Sequence, residues 1–377
     1  MSHSKTLLLT SADIARLVSH VGADRFMSIL IDRLLDAFAR SKTTKLETPA
    51  RDGFHYPQGL VEWMPLYQHE NAVLMKMVGY HPTNPDKRRL PTVVCSLSLF
   101  DTNTGQLTAL ADGALLTAMR TGAASAIATR MLSPATGHDL GLIGCGAQAV
   151  TQLHALSQIR TFKTVRIFDT SDSVLRSFPQ RCESFVNSST AIQRSSLKDL
   201  VEQSDVICTA TSVGVGRGPV FDAVNIRPHL HINAVGADLP GKTELPLDLL
   251  RNAFVVPDFI AQATSEGECQ QLAAEDIGPS ITELATTPEA FVNRKHCLTV
   301  FDSTGWALED FVAIQLAIEL AADCRIGSRV AIESMKSDPW NPYEELNPTR
   351  SSTELPPLPD SEMAVPGGDE TERLIVK

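Results

Sequence analysis

Residues 140–149 read Leu-Gly-Leu-Ile-Gly-Cys-Gly-Ala-Gln-Ala, an apolar strand that runs directly into a Gly-x-Gly-x-x-Ala turn and then into a helix. Gly144 permits a tight turn at the end of the strand, and Gly146 lets the backbone approach a pyrophosphate. Ala149 allows close helix–strand packing, and the N-terminus of the helix attracts phosphate charge. Glycine-rich turns are common, but this one has the strand and the helix that a dinucleotide site requires.

A second feature of such a site is Asp169, which ends the next predicted strand, roughly 20 residues after the turn. A carboxylate at this place accepts hydrogen bonds from the ribose hydroxyls and repels a 2′-phosphate. The sequence therefore predicts NAD rather than NADP as the cofactor. The alternative is that these residues bind no cofactor and form only a glycine turn beside an aspartate that faces water.

Short apolar strands alternate with helices from this turn onward. Six strands are predicted, at 140–143, 164–168, 206–210, 231–235, 253–256 and 298–301. Such alternation is typical of a doubly wound parallel sheet, so we predict an α/β fold with a Rossmann-type domain.

The chain before residue 133 has a different pattern. A short strand is followed by two amphipathic helices, the first with Ser11 as its predicted N-cap. Strand-like segments separated by turn residues then precede an alanine-rich helix, and the segments are predicted at 60–64, 72–78, 92–100 and 106–110. We therefore predict a separate α+β domain in this part of the chain.

The predicted domains are discontinuous, because an apolar helix after residue 305 returns the chain to the first domain. That domain comprises residues 1–125 together with 305–335, and the Rossmann-type domain comprises 126–304. From 336 to 377 the composition shifts to Pro, Glu, Ser and Gly. We predict a partly mobile extension here, with 356–377 as a mobile tail.

Composition and charge exclude several classes of protein. The formal net charge is −11, from 33 Lys and Arg against 44 Asp and Glu, which argues against nucleic acid or an anionic membrane as a partner. No stretch approaches the roughly 20 apolar residues of a membrane span, and the N-terminus lacks the pattern of a signal peptide. The 7 cysteines form no Cys-x-x-Cys pair and the 10 histidines no His-Glu-x-x-His motif, so no metal is predicted. We expect a cytoplasmic protein.

Two charged residues lie inside apolar strands of the first domain. Glu62 has apolar neighbours on both sides, and Lys76 is the centre of Leu-Met-Lys-Met-Val. Ionised side chains are rarely buried without a partner, because desolvation is costly. Alternation puts Lys76 on the same face as Leu74 and Val78, which favours a lined pocket, although an edge-strand lysine facing water is the alternative.

Three more polar residues complete the candidate substrate site. Arg120 lies in a helix of small residues, and together with Lys76 and Arg51 it would form a clamp for an α-carboxylate. Asp238 follows a predicted strand at its carboxyl end, where ligands bind in doubly wound sheets. A capping or pairing role for Arg120, and a simple turn role for Asp238 before Pro-Gly, stay open from the residues alone.

Taken together, these motifs resemble the ornithine cyclodeaminase/mu-crystallin family from about Leu7 to Ile332. The matching segments are 62–65 (Glu-Trp-Met-Pro), 76–82 (Lys-Met-Val-Gly-Tyr-His-Pro), 120–125 (Arg-Thr-Gly-Ala-Ala-Ser), 144–148 (Gly-Cys-Gly-Ala-Gln), 236–245 (Gly-Ala-Asp-Leu-Pro-Gly-Lys-Thr-Glu-Leu), 301–305 (Phe-Asp-Ser-Thr-Gly) and 309–310 (Glu-Asp). Within the family, residues 62–65, 229–247 and 266–272 look most like the lysine cyclodeaminases.

The resemblance implies a role for each candidate residue. Arg51, Lys76 and Arg120 match substrate-carboxylate residues, and Glu62 matches a polar contact near the substrate amine. Asp238 matches the acidic residue that binds the side-chain amine and handles protons, and Lys76 would transfer a proton at the α-nitrogen if burial depresses its pKa. The positions expected to line the dinucleotide are Thr121, Gly144, Gly146, Ala147, Gln148, Asp169 and Ser303. The resemblance also implies a homodimer joined through the sheet of the first domain.

The implied activity is NAD-dependent conversion of L-lysine to L-pipecolate with release of ammonia. Hydride would leave Cα and return to the cyclic product, so there is no net redox change. The alternatives are the ornithine reaction that gives L-proline, a net NAD(P)-dependent amino-acid dehydrogenase or cyclic imine reductase, and a non-catalytic mu-crystallin-like binder. Lysine and ornithine differ by one methylene, which a pocket distinguishes by only about 1–3 kcal/mol.

Overall fold

The computed structural model of the protein describes residues 5–334 and 338–346. Residues 5–332 belong to one compact unit, and the remaining described residues belong to a second. In the second unit, residues 338–346 form a turn that ends in a 3-10 helix, Glu344–Leu346, and Asp338 accepts a hydrogen bond from the backbone N–H of Trp340 at 3.0 Å. The mobile tail predicted at 356–377 lies outside the described residues.

The larger unit is built from two sheets and the helices around them. Its strands are β1 (Thr6–Leu9), β2 (Leu46–Glu47), β3 (Asp52–Tyr56), β4 (Gly59–Gln68), β5 (Ala72–Tyr80), β6 (Val93–Asp101), β7 (Leu107–Asp112), β8 (Asp139–Ile143), β9 (Thr164–Phe168), β10 (Ala191–Arg194), β11 (Val206–Thr209), β12 (His231–Ala234), β13 (Phe254–Pro257), β14 (Thr299–Asp302) and β15 (Ser328–Val330). Its α-helices are α1 (Ser11–Val21), α2 (Ala23–Arg40), α3 (Asn84–Arg88), α4 (Ala114–Leu132), α5 (Ala147–Ile159), α6 (Asp172–Cys182), α7 (Leu197–Gln203), α8 (Leu247–Asn252), α9 (Ile260–Ala263), α10 (Ile281–Thr286) and α11 (Ala307–Cys324).

The first sheet has eight strands in the order β15-β1-β7-β6-β5-β4-β2, with β3 also paired to β4. All its pairs are antiparallel except β1 with β7. Alternation along β4 and β5 buries Glu62 and Lys76 on the face that packs against the core, as the period of two requires. The opposite face carries half-exposed side chains.

Helices α1, α2, α4 and α11 supply most of the core beside this sheet. The first helix was expected to have Ser11 as its N-cap, and this is wrong by one residue. Thr10 is the N-cap, and it forms a capping box with Asp13, in which each side chain accepts the other residue's backbone N–H. Ser11 is the first helical residue.

The second sheet is entirely parallel, with the order β10-β9-β8-β11-β12-β14-β13. Sequence order reverses between β8 and β11, which creates the crevice where doubly wound sheets bind ligands. The predicted Rossmann-type α/β fold is thus confirmed, with one strand added. That strand, β10, is short and largely exposed at the edge of the sheet.

The two sheets use different parts of the chain, since β1 to β7 and β15 form one and β8 to β14 form the other. The division at residues 125 and 305 stays a prediction. In the part of the chain that the structure describes, no helix is both long enough and apolar enough to cross a bilayer.

Candidate active site

The glycine-rich turn lies at the carboxyl end of β8, beside the crevice. Gly144 has φ +87°, and a Cβ there would lie 2.5 Å from the carbonyl oxygen of Ala210, so the turn requires glycine. A Cβ at Gly146 would meet no heavy atom within 4 Å, so the backbone is open to a ligand on this side. Helix α5 starts at Ala147, and its N-cap, Gly146, makes no side-chain hydrogen bond. These features fit a bound pyrophosphate.

Asp169 follows β9 and is tied to the turn. Its carboxylate accepts hydrogen bonds from the backbone N–H of Cys145 at 2.8 Å and of Ser171 at 2.7 Å. Arg181 donates to the carbonyl oxygen of Cys145 at 2.7 Å, which fixes the other side of the turn. A half-buried carboxylate in this position retains lone pairs for ribose hydroxyls, so the residues present fit NAD.

A cavity opens between the two sheets. Eight of the residues expected to bind substrate or cofactor line it: Arg51, Glu62, Lys76, Arg120, Thr121, Gln148, Asp238 and Ser303. Gly144, Gly146, Ala147 and Asp169 are not among its lining residues and belong to the turn and the strand end described above. The hydroxyl of Ser303 is buried without a hydrogen-bond partner in the described residues, which leaves it available to a ligand.

Two buried cations in the cavity wall, Lys76 and Arg120, share one carboxylate. Lys76 Nζ donates to Asp310 Oδ1 at 2.9 Å, and Arg120 Nε donates to the same oxygen at 3.1 Å. Arg120 Nη1 also donates to Glu309 Oε2 at 2.6 Å. Burial lowers the pKa of Lys76, whereas the charges of Asp310 and Glu309 outweigh burial and raise that of Arg120. Burial raises the pKa of Glu309 to about 8.

Arg51 lies between two carboxyl groups. Its Nε donates to Glu266 Oε1 at 2.5 Å, its Nη1 is 3.8 Å from Glu62 Oε2, and its Nη2 donates to the carbonyl oxygen of Thr304 at 2.8 Å. Burial raises the pKa of Glu62, and it raises that of Glu266 to about 7 against the opposing charge of Arg51. Glu266 can therefore be neutral or ionised near neutral pH.

Asp238, in the loop after β12, also lines the cavity. Its Oδ1 accepts a hydrogen bond from Lys242 Nζ at 2.8 Å. The arrangement combines cations that suit a carboxylate with carboxyl groups that suit an amine, as an amino acid with a second amine requires.

The sequence reasoning missed four charged residues of this site. Glu309 and Asp310 were part of the family resemblance but had no assigned role, and Glu266 and Lys242 were only part of matching segments. A signal was available for the first pair, because two adjacent carboxylates at the start of an otherwise apolar helix are costly to bury unless cations meet them.

The fold and the site define a dinucleotide-binding protein of the Rossmann class with a second, mostly antiparallel sheet that closes its ligand cavity. The model of the ornithine cyclodeaminase/mu-crystallin family matches residues 12–324, and the chain belongs to this family. The predicted resemblance is confirmed.

Known relatives align over almost their whole length. The chain is 40% identical to the L-lysine cyclodeaminase of Streptomyces rapamycinicus, over 90% of this chain and 99% of that protein. It is similar to a solved lysine cyclodeaminase structure that concerns recognition of L-lysine, L-ornithine and L-2,4-diamino butyric acid, with a TM-score of 0.87, 45% identity and coverage of 90% and 99%. An archaeal alanine dehydrogenase dimer with bound NAD has a TM-score of 0.77 and 30% identity, with coverage of 87% and 100%.

Proposed function

We propose that the protein is an NAD-dependent cyclodeaminase that converts L-lysine to L-pipecolate and releases ammonia. The observation that carries this proposal is the cavity beside the dinucleotide turn, which Arg51, Lys76, Arg120 and Asp238 all line. Membership of the family and the high identity to a lysine cyclodeaminase support it.

The residues that would hold NAD are those of the turn, the strand ends and the cavity wall: Thr121, Gly144, Gly146, Ala147, Gln148, Asp169 and Ser303. NAD, when bound, supplies a hydride acceptor that later returns the hydride, so that the overall reaction has no net redox change. The carboxylate of Asp169 favours NAD over a cofactor with a 2′-phosphate.

The protein's own groups orient the substrate and move its protons. Arg51, Lys76 and Arg120 would bind the α-carboxylate and fix the position of Cα in the cavity beside the dinucleotide turn, and orientation of this kind supplies much of a rate acceleration. Asp238 binds the ω-amine and accepts its proton, because an ammonium group has no lone pair for attack on Cα. Lys76, whose pKa burial lowers, exchanges a proton with the departing α-nitrogen.

L-Ornithine, with L-proline as product, is the second candidate substrate. It is favoured by the structural similarity to a lysine cyclodeaminase that recognises both amino acids. A net dehydrogenase has less support, because it does not require a carboxylate such as Asp238 for a second amine.

We also propose that the protein is a homodimer joined through the outer face of the first sheet. This face carries large apolar side chains that are half-buried or exposed: Phe54, Val61, Trp63, Pro65, Tyr67, Val73, Met75, Met77 and Val94. Phe54 alone is 69% exposed, and an apolar patch of this extent favours a protein partner.

The 7 cysteines are all free, which supports a cytoplasmic location.

The test incubates purified protein with L-lysine and, separately, with L-ornithine in the presence of substoichiometric NAD⁺. Ammonia and the cyclic imino acid are quantified while absorbance at the NADH band is followed. One ammonia per pipecolate without NADH accumulation is expected from lysine. Conversion of the added NAD⁺ to NADH, with one NADH formed per substrate consumed, would contradict the proposal and identify a dehydrogenase.

A further inference from the structure

The ammonium group of Lys242 is enclosed beside Asp238. Its Nζ lies 2.8 Å from Asp238 Oδ1, and the lysine side chain is only 3% exposed. The same Nζ lies 5.3 Å from the centroid of the Tyr80 ring, which belongs to β5 in the other sheet. In an ordinary surface ion pair between residues four positions apart, the lysine stays in water. The ammonium of Lys242 is instead held between a carboxylate and an aromatic face.

The turn that carries this lysine is fixed by its neighbours. Gln270 accepts a hydrogen bond from the backbone N–H of Gly241 at 2.6 Å and donates to the carbonyl oxygen of Lys242 at 3.0 Å. Gly241 has φ +77°, a conformation that favours glycine. Glu244 closes the loop by accepting the backbone N–H of Gly236 at 2.8 Å. Lys242 is therefore held in a fixed place beside Asp238, which lines the cavity.

Asp238 keeps one oxygen for a ligand. Within the described residues its Oδ1 accepts the hydrogen bond from Lys242, and its Oδ2 accepts none. The Asp238 side chain lines the cavity and is 36% exposed. An amine that binds to Oδ2 therefore shares the carboxylate with a second, permanent cation.

We propose that Lys242 is a positioning residue of the cyclodeaminase reaction: it holds Asp238 in place and disfavours the ammonium form of the substrate's ω-amine. The inference rests on the proposed function. A nearby like charge favours the uncharged form of a group, so the bound ω-ammonium loses its proton to solvent, by way of Asp238, more readily. The neutral amine then has the lone pair that ring closure needs.

Other titratable and charged groups face the pair from several elements: Tyr80, Glu244, Glu62, Glu266 and Arg51. Burial alone would lower the pKa of Lys242, but its interactions with Asp238, Tyr80 and Glu244 together outweigh burial and raise it, so the lysine stays cationic. Burial raises the pKa of both Glu62 and Glu266, which weakens their ability to cancel this charge.

The test compares wild type, Lys242→Met and Lys242→Arg in kcat and KM for L-lysine across pH 6 to 10. Because kcat reports ionisations of the bound state, the acid limb of its profile should move upward by about one pH unit or more in Lys242→Met. We expect kcat at pH 7 to fall about tenfold, KM to fall because the ammonium form binds better, and activity to recover at high pH. Lys242→Arg keeps the charge and should keep the position of the limb.

Arg166→Met is the matched control, because Arg166 pairs with Asp139 at 2.9 Å in the same sheet, away from the cavity. Lys242→Gln replaces Lys242→Met if circular dichroism shows the latter unfolded. An unchanged acid limb in a folded, uncharged variant overturns the inference, as does equal loss in Lys242→Arg without a pH shift. A wild type that forms no cyclic product overturns the proposed function together with the inference.

Discussion

Lys76 and Asp310 form an ion pair enclosed by protein, with Nζ 2.9 Å from Oδ1 and side-chain exposures of 1% and 0%. The same carboxylate oxygen accepts a hydrogen bond from Arg120. One aspartate in the first turn of α11 therefore sets the spacing of two cations that come from β5 and α4. An aspartate late in the chain thus organises two cations of the proposed substrate clamp, and both cations lie in the first third of the chain.

Asp310→Ala should destabilise the protein strongly, because it leaves two buried cations without their shared counter-ion. Removal of one partner from a buried pair costs about 3–5 kcal/mol. The free energy of unfolding in urea measures the effect. Glu319→Ala is the control, since it breaks an exposed pair with Arg33 and should cost about 1 kcal/mol or less. Equal effects of the two substitutions would show that Asp310 does not hold the clamp.

Asp169→Asn should weaken NAD⁺ binding, while its single amide oxygen can still accept one of the two backbone hydrogen bonds that the carboxylate accepts. Hydrogen bonds to charged groups contribute about 1.5–3 kcal/mol, so affinity should fall roughly tenfold or more. NADP⁺ should bind better relative to NAD⁺, because the charge that repels its 2′-phosphate is gone.

Calorimetric titration with each cofactor measures both of these effects. Asp172→Asn, which only disturbs exposed pairs with Arg176 and Arg194, should bind as wild type does. An Asp169→Asn variant with unchanged cofactor preference would exclude the assigned role.

Glu266→Gln should make stability less sensitive to pH. Burial raises the pKa of Glu266 to about 7 from an ordinary value of 4.5, so the folded protein binds a proton there that the unfolded chain has lost. Stability from this group is present below pH 4.5 and is lost as pH rises through 7. By pH 8 the wild type should have lost on the order of 3 kcal/mol relative to the variant. Urea unfolding at pH 5 and pH 8 measures this, and a pH-independent difference would contradict it.

Met77→Glu should convert the proposed homodimer into monomers, since it places a charge in the apolar outer face of the first sheet. Met77 is partly exposed beside Trp63, so the fold should tolerate the change. Light scattering coupled to size exclusion measures the mass. Lys198→Glu changes an exposed residue of α7; it is the control and should leave the mass unchanged. A dimeric Met77→Glu variant would place the interface elsewhere.

Strong local patterns made most of the fold predictable. The turn at Gly144 and the buried strands on both sides of it carry their own signals, because a fully buried strand is apolar along its whole length. The strands that were missed, such as β3 and β10, are largely exposed, and their polar residues give no periodicity. Local sequence therefore predicts the elements that the core requires better than those at the edges.

The site was predictable where a charge contradicted its surroundings. Lys76 in an apolar strand indicated a pocket, but its partner Asp310 lies 234 positions further along, and no spacing rule connects them. In the sequence, Lys242 and Glu266 looked like ordinary loop residues. Only the folded loops bring Lys242 to Asp238, and Glu266 to Arg51. Family resemblance supplied roles for the lining residues, whereas the charge partners required the structure.

The most direct test of the proposed cyclodeamination uses L-lysine that carries deuterium at Cα, incubated with the protein and substoichiometric NAD⁺. If the hydrogen leaves Cα and returns within one catalytic cycle, mass spectrometry should find pipecolate with deuterium retained at Cα and one ammonia released per product. Loss of the label to solvent, or its accumulation in reduced cofactor in proportion to substrate consumed, would contradict the account.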